Sequence, residues 1–454
     1  PNFYNGVQKE RVFENAFLEY GCMKSMTAPL NRKMYILTDP IEDRAKDWLD
    51  YKINYQATFA AQLMYPMVDT YEVMPWPDRI YQGLYRIAGT DQKERIPRSY
   101  STQMQTMVNT LNDIRTSDKK ITGTQGIGVL MANSLMFQRF PNHNGYDDPQ
   151  FSSFYGQTLP LLKRGIPVEL VHMENTPFKE TFKGLHILVM SYSNMKPMKP
   201  EYHNYLADWV KKGGILIYCG EDIDPYQTVL EWWNTDGNEY KAPSEHLFEK
   251  MNLSRNPGEG TYRYGKGTVI VMREDPKHFV LKAGNDQKYF ETIASAYQKK
   301  IGKEIETKNS FIVERGPYTI AAVMDESVSK EPLTLSGLYI DLFDKDLPVL
   351  TSKQIQPGEQ GYLYDLNKVS GKIKAKVLCG ASRIYDEKVS KQSYSFVAKS
   401  PINTTNVSRV LLPRKPEKIR VNGKEEQPEW DESSKTLLLS FENDPAGVNV
   451  SIEW

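Results

Sequence analysis

The chain has 454 residues, 40% hydrophobic, 11% aromatic and 25% charged, enough apolar material for roughly three domains at ~150 residues each. Lysine plus arginine equals aspartate plus glutamate at 57 each, so no charge excess favours nucleic acid or an anionic membrane surface. Three scattered cysteines (Cys22, Cys219, Cys379) write neither a disulfide framework nor a zinc site, and the longest apolar runs are strand-sized, which excludes a membrane-spanning helix.

Residues 1–120 alternate between strand and helix. The chain opens on Pro1-Asn2-Phe3 with neither an initiator methionine nor a signal peptide, so an upstream part is expected. Met34–Thr38 reads as a strand closed by Asp39-Pro40 and the acidic turn Ile41-Glu42-Asp43. A helix is predicted from Arg44 to Tyr65, with Trp48, Leu49, Ile53, Phe59, Ala60 and Leu63 spaced for one buried face. A second strand ends at Glu72, because Pro75 and Pro77 lack backbone donors and should stop strand pairing. Tyr100–Ile114 returns as a helix with Met104, Met107, Val108, Leu111 and Ile114 on one side. This is the rhythm of a parallel α/β unit, too short by itself to close a barrel.

Residues 121–305 restart the alternation. Gly126–Ala132, Pro167–His172, Leu185–Met190 and Ile215–Cys219 read as buried strands. Phe154–Lys163 and Tyr202–Lys212 read as helices closed by Gly165 and by Gly213-Gly214. Thr261–Tyr264 and Thr268–Met272 flank Gly265-Lys266-Gly267, a hairpin signal. The pattern predicts a doubly wound, flavodoxin-like domain with an appended hairpin.

From residue 306 to 454 helical periodicity vanishes. Short strands at Tyr318–Val323, Leu338–Leu342, Tyr394–Val397, Arg409–Leu412, Thr436–Phe441 and Val448–Ile452, with a turn at Asn422-Gly423, predict one β-sandwich or two small ones in tandem.

Glu72 is the candidate for catalysis. A carboxylate at a strand tip beside Trp76 offers an anionic oxygen next to a ring that can stack on a pyranose face. Asp39, Glu42 and Asp43, at the preceding tip, are candidates for binding sugar hydroxyls. Asn238-Glu239 resembles an acid/base signature but follows the flavodoxin-like strands in a loop, and is set aside. An amidotransferase would need cysteine on a strained turn after the third strand, where Ser191-Tyr192-Ser193-Asn194 stands instead; Cys219 comes one strand later. No phosphate-binding glycine loop follows the first strand, and the six histidines show no metal-ligand spacing, so neither a cofactor nor a metal is implied.

In this order the chain resembles the C-terminal two-thirds of β-galactosidase-like glycoside hydrolases of family forty-two. Glu72-Val73-Met74-Pro75 matches the Glu-x-x-Pro context of that family's nucleophile at the seventh strand of its TIM barrel. Thr181–Val189 and Trp209–Leu216 look like its amidotransferase-related trimerisation domain, and a β-sandwich follows. The resemblance implies a partial (β/α) barrel over 1–120, a flavodoxin-like, non-catalytic domain over 121–305 and a β-sandwich over 306–454. It also implies a retaining mechanism on β-linked sugars with Glu72 as nucleophile, and homo-oligomers built through the flavodoxin-like domain. The alternative is a non-catalytic carbohydrate-binding or oligomerisation module. No acid/base glutamate can be placed in this chain, so the chain by itself should not turn over a glycoside. The compartment is read as periplasmic or secreted ahead of cytoplasmic.

Overall fold

The computed structural model describes residues 11–39, 47–73, 80–87, 89–137, 152–369 and 374–454. They form two compact units, each assembled from separated stretches of chain: the first from the stretch ending at Met34, Ile121–Phe311 and Met324–Lys330, the second from Tyr35–Lys120, Ile312–Val323 and Glu331–Trp454.

The first unit is a mixed six-stranded sheet in the order Glu169–His172, Ile127–Met131, Ile187–Met190, Ile215–Cys219, Gly267–Met272, Gly260–Tyr264. Five strands are parallel and run 2-1-3-4-5 by position along the chain; the last is the antiparallel arm of the expected hairpin. All residues of Ile127–Met131, Ile187–Met190 and Ile215–Cys219 are buried, as expected where a parallel sheet is covered on both faces. Gly165 and Gly213 take left-handed φ values of 70° and 123°, ending the helices Ser152–Leu162 and Tyr202–Lys211 where the sequence placed their stops. Tyr289, on the helix Gln287–Ile301, donates to the Gln157 carbonyl at 2.8 Å.

A helix at Val12–Thr27 joins this unit without having been anticipated. It is buried nearly all round its first turns, so no amphipathic stripe marks it. Phe13 and Phe17 pack against Phe311 with ring centroids 6.2 and 5.4 Å apart, and Lys24 pairs with Glu169 on the edge strand.

The second unit opens with two short parallel strands, Ile36–Thr38 and Tyr71–Val73, linked through the helix Trp48–Leu63. Asp47 caps that helix, its Oδ1 accepting from the Asp50 amide at 2.9 Å. The buried stripe differs from the expected one. Phe59, Ala60 and Leu63 are buried as read, but Leu49 and Ile53 are each 43% exposed. Tyr51 and Tyr55 take the inward positions instead, continuing the i, i+4 spacing to Phe59. Between Tyr81 and Arg98 the described residues form a small antiparallel hairpin, Tyr85–Arg86 with Lys93–Glu94. The helix Arg98–Thr110 follows, with Met104 and Met107 buried.

The rest of this unit is β structure in three sheets. The first runs Ser310–Arg315, Tyr318–Val323, Gln360–Asp365, Leu333–Asp341, Val349–Ile355. Phe59 meets Tyr362 of this sheet edge-on at 5.4 Å, and Tyr362 donates to Thr110 Oγ1 at 2.9 Å. A four-stranded sheet (Lys376–Gly380, Thr405–Leu411, Thr436–Glu442, Glu429–Asp431) and a five-stranded one (Arg383–Val389, Ser393–Lys399, Val448–Glu453, Lys418–Val421, Lys424–Glu426) share one core that includes Tyr394, Phe396, Val410, Leu437 and Ile452. Asn422-Gly423, with φ values of 47° and 80°, makes the predicted hairpin turn.

Candidate functional site

The strand pair sets the geometry around Glu72. Register pairs Ile36 with Tyr71, Leu37 with Glu72 and Thr38 with Val73. Side chains alternate along a strand, so Leu37 and Glu72 share one face while Ile36 and Thr38 share the other. The second face is buried, and Thr38 donates to the Tyr55 hydroxyl of the covering helix at 2.9 Å. The first face is open: Leu37 is 46% exposed, Tyr35, two residues earlier, is 62% exposed, and Glu72 is exposed. Among the described residues nothing bonds to the Glu72 carboxylate. Asp39 stands at the neighbouring tip, half-buried, and lies close enough to Tyr55 to help burial raise that phenol's pKa. Glu42, Asp43 and Trp76 fall outside the described residues.

One residue that the sequence did not flag holds the strand carrying Glu72. Arg315 is buried; its Nη1 donates to the Tyr71 hydroxyl at 2.8 Å and reaches the Leu63 carbonyl at 3.5 Å. Its Nη2 donates to the carbonyls of Val68 and, at 3.1 Å, Arg115. Tyr71 in turn donates to the Val68 carbonyl at 3.1 Å. Burial raises the Tyr71 phenol's pKa; the nearby guanidinium opposes that rise. A guanidinium offers five donors in a fixed fork, which suits a cradle of carbonyls. Only its long-range partners give Arg315 this role, and sequence spacing does not show them.

A second polar cluster gathers where the parallel strands of the first unit end, the edge at which open parallel sheets bind ligands. Ser193 donates to Asp275 Oδ1 at 2.6 Å, and the Glu221 amide donates to the same oxygen at 3.1 Å. Lys196 and Asp224, both buried, pair at 2.7 Å, and Lys196 Nζ also donates to the Tyr192 carbonyl at 2.6 Å. Burial pulls the Lys196 ammonium below the usual lysine range, against the pull of Asp224. Arg273 pairs with Asp222 at 2.8 Å, and Ser244 and Tyr218 donate to the same carboxylate. His203 bridges Tyr192 and His246 through both ring nitrogens, at 2.6 and 2.8 Å, and burial lowers its pKa. Ser193 has an acidic partner, Asp275, and no imidazole bonded to it among the described residues. These contacts hold the loops after the strands. Each member lies within six residues of a strand end or on a helix beside it, and that position was the available signal.

Cys219 is fully buried with its sulfur 4.0 Å from that of Met272, and burial pushes its thiol up, which fits an inert side chain. Asn238 donates to the Trp232 carbonyl at 2.8 Å within its loop, and Glu239 beside it is exposed.

No family model and no curated protein matches the chain by sequence. Solved structures similar to it include β-galactosidases. One from Bacillus circulans sp. alkalophilus is 10% identical with a TM-score of 0.43, covering 80% of this chain and 62% of that one. A GH42 β-galactosidase from G. stearothermophilus is 11% identical with a TM-score of 0.45, covering 80% and 58%. A rhamnosidase from Novosphingobium sp. PP1Y is 11% identical with a TM-score of 0.33, covering 89% and 41%. The chain thus spans less than two thirds of the length of these proteins. No helix among the described residues is long and apolar enough to cross a membrane.

Proposed function

We propose that this chain is part of a retaining, β-galactosidase-like glycoside hydrolase in which Glu72 is the nucleophile. Within that reading Asp39, Glu42 and Asp43 bind sugar hydroxyls and Trp76 stacks on the ring. The observation that carries it is the one-sided strand pair: two parallel strands, a helix over one face, and Glu72 on the other beside exposed Leu37. In a (β/α) barrel the helix-free face of each strand looks inward, and the strand tips carry the chemistry. The exposed apolar side chains fit this arrangement. Tyr35 just before the strand and Leu37 on it, with Leu49 and Ile53 on the helix, form the surfaces that neighbouring strands and helices of a barrel cover.

A retaining mechanism needs a second carboxyl group ~5 Å from the nucleophile to protonate the leaving group. In this reading the acid/base residue comes from a preceding barrel strand of a longer chain. The test is Glu72→Gln in the longer protein, assayed on an aryl β-galactoside. Turnover should fall by at least ~10³-fold, with substrate binding retained, as expected when a nucleophile is removed. Unchanged turnover would remove Glu72 from the mechanism.

A second reading, self-assembly through the first unit, has its own observation. The loop 220–230 is pinned from inside by Asp222 and Asp224, yet it presents Ile223, Val229 and Leu230 at 72%, 45% and 79% exposure. Large apolar side chains exposed on one loop mark a protein contact. Light scattering should show an oligomer that Leu230→Asp dissociates. A monomeric parent protein would leave the loop unexplained.

A further inference from the structure

The C-terminal five-stranded sheet turns one face toward the sandwich core and the other away from it. The outward face follows from register. Lys388 pairs with Ser395, Ser395 with Ser451, Ser451 with Arg420, and Arg420 with Glu425, so these five side chains form one row across the sheet. Tyr385, Val397 and Asn449 form the next row. Phe396 and Val450 alternate with these residues and point into the core, which confirms the outward direction of both rows.

Two serines at the middle of the first row, flanked by the long chains of Lys388 and Arg420, make a trough. It has a volume of about 510 Å³ and is lined by both serines, Val397, Arg420, Asn449, Gly423 and, from the edge strand, Asp386, Glu387 and Lys388. That volume falls within the range of small-ligand sites. The edge strand is also shaped for it. Between Tyr385 and Lys388 the register slips by a β-bulge in which Asp386 takes a φ of 52°. Bulges re-aim side chains at binding rims, and a left-handed non-glycine residue is uncommon enough to need a reason.

We infer that this trough binds a neutral oligosaccharide. The lining carries Asp386 and Glu387 against Lys388 and Arg420, two charges of each sign. Arg420 is already paired with Glu453 at 2.7 Å, and Glu387 accepts from the Tyr394 hydroxyl. No charge excess is left to attract a phosphate or a polyanion. The hydroxyls and the amide of Ser395, Ser451 and Asn449 both donate and accept, as sugar hydroxyls require. Tyr385, 43% exposed, stands at the rim beside lining Val397, its strand partner; the Lys399 ammonium lies 5.5 Å from its ring centroid on one side, so a sugar stacking on the ring takes the other face. The site lies in the sandwich alone and holds whether or not Glu72 is a nucleophile.

The experiment is calorimetric titration of the full chain with four neutral tetrasaccharides (β-1,4-galacto-, cello-, manno- and maltotetraose) and with polygalacturonate, alongside light scattering. At least one neutral tetrasaccharide should bind. Tyr385→Ala should weaken it about tenfold, the effect of one lost stacking ring. Ser451→Trp should abolish it by filling the trough. Tyr385→Ala sits at an exposed position and keeps the test valid if Ser451→Trp misfolds. The inference is overturned if none of the four neutral sugars binds, if polygalacturonate alone binds, or if binding persists in Tyr385→Ala and in folded Ser451→Trp. It is also overturned if folded Ser451→Trp lowers the mass in solution, which would make the face a contact between copies.

Discussion

The two places among the described residues where parallel strands pair differ in how they are covered. Three inner strands of the six-stranded sheet, Ile127–Met131, Ile187–Met190 and Ile215–Cys219, are buried at every residue, and charged side chains at their ends pair with one another. Ile36–Thr38 and Tyr71–Val73 are covered on one face only, with Tyr35, Leu37 and Glu72 open on the other. Parallel strands are ordinarily covered on both faces. Among the described residues the first sheet has both faces of its inner strands covered, and the strand pair only one. The contrast also explains why buried Arg315 is needed: three-residue strands supply few ladder bonds, and the guanidinium ties the segment Leu63–Tyr71 down from within.

The largest expected effect tests that tie. Arg315→Met should cost about 3–5 kcal/mol, because the Tyr71 hydroxyl and the Leu63, Val68 and Arg115 carbonyls each lose a buried charged donor, Val68 keeping only Tyr71. Urea denaturation of the second unit's tyrosine signal measures it, and a loss under ~1 kcal/mol would mean that the strand pair holds itself. In the first unit the corresponding buried charge has a charged partner. Lys196→Met alone should cost about 3 kcal/mol by stranding Asp224, whereas Lys196→Met with Asp224→Leu should recover most of it. Additive losses in the double mutant would show that the pair is not a coupled unit.

A pH-dependent effect comes third. Glu14, on the helix Val12–Thr27, has its carboxyl pKa raised from 4.5 to about 7, chiefly by burial. The folded state therefore holds a proton that the unfolded state releases above pH ~4.5, and stability drains away as pH climbs toward 7. Glu14→Gln should stabilise the protein by about 2–3 kcal/mol at pH 8 and by little at pH 4. Equal gains at both pH values would remove ionisation from the explanation. The smallest effect belongs to the open face: Glu72→Gln should shift the melting midpoint by no more than the equivalent of about 0.5 kcal/mol, since the side chain is exposed. A large loss would mean that the carboxylate is structural.

The sequence disclosed what depends on local chemistry. Gly165, Gly213 and Asn422-Gly423 punctuate the chain where only left-handed backbone can continue, and alternation placed the strands of the six-stranded sheet. It was less reliable where burial is decided by distant partners. Tyr51 and Tyr55 displaced Leu49 and Ile53 from the inner face of their helix, and Val12–Thr27 carries no stripe because several elements surround it. Of the candidate site, the adjacency of the Asp39 and Glu72 tips was legible from the strand–helix–strand rhythm. The anchoring by Arg315, 243 positions beyond Glu72, was not.

The division of the chain has a consequence for how the protein is made. The polypeptide passes from one unit to the other after Met34, Lys120, Phe311, Val323 and Lys330, so neither unit is a continuous stretch. A ribosome must release the last strand, Val448–Glu453, before the second unit can close, while Ile36–Thr38 has been waiting since early in synthesis. Halves produced by cutting near residue 120 or 306 should therefore fail to fold when expressed apart, and co-expression of the two pieces is the arrangement with a route to the native state.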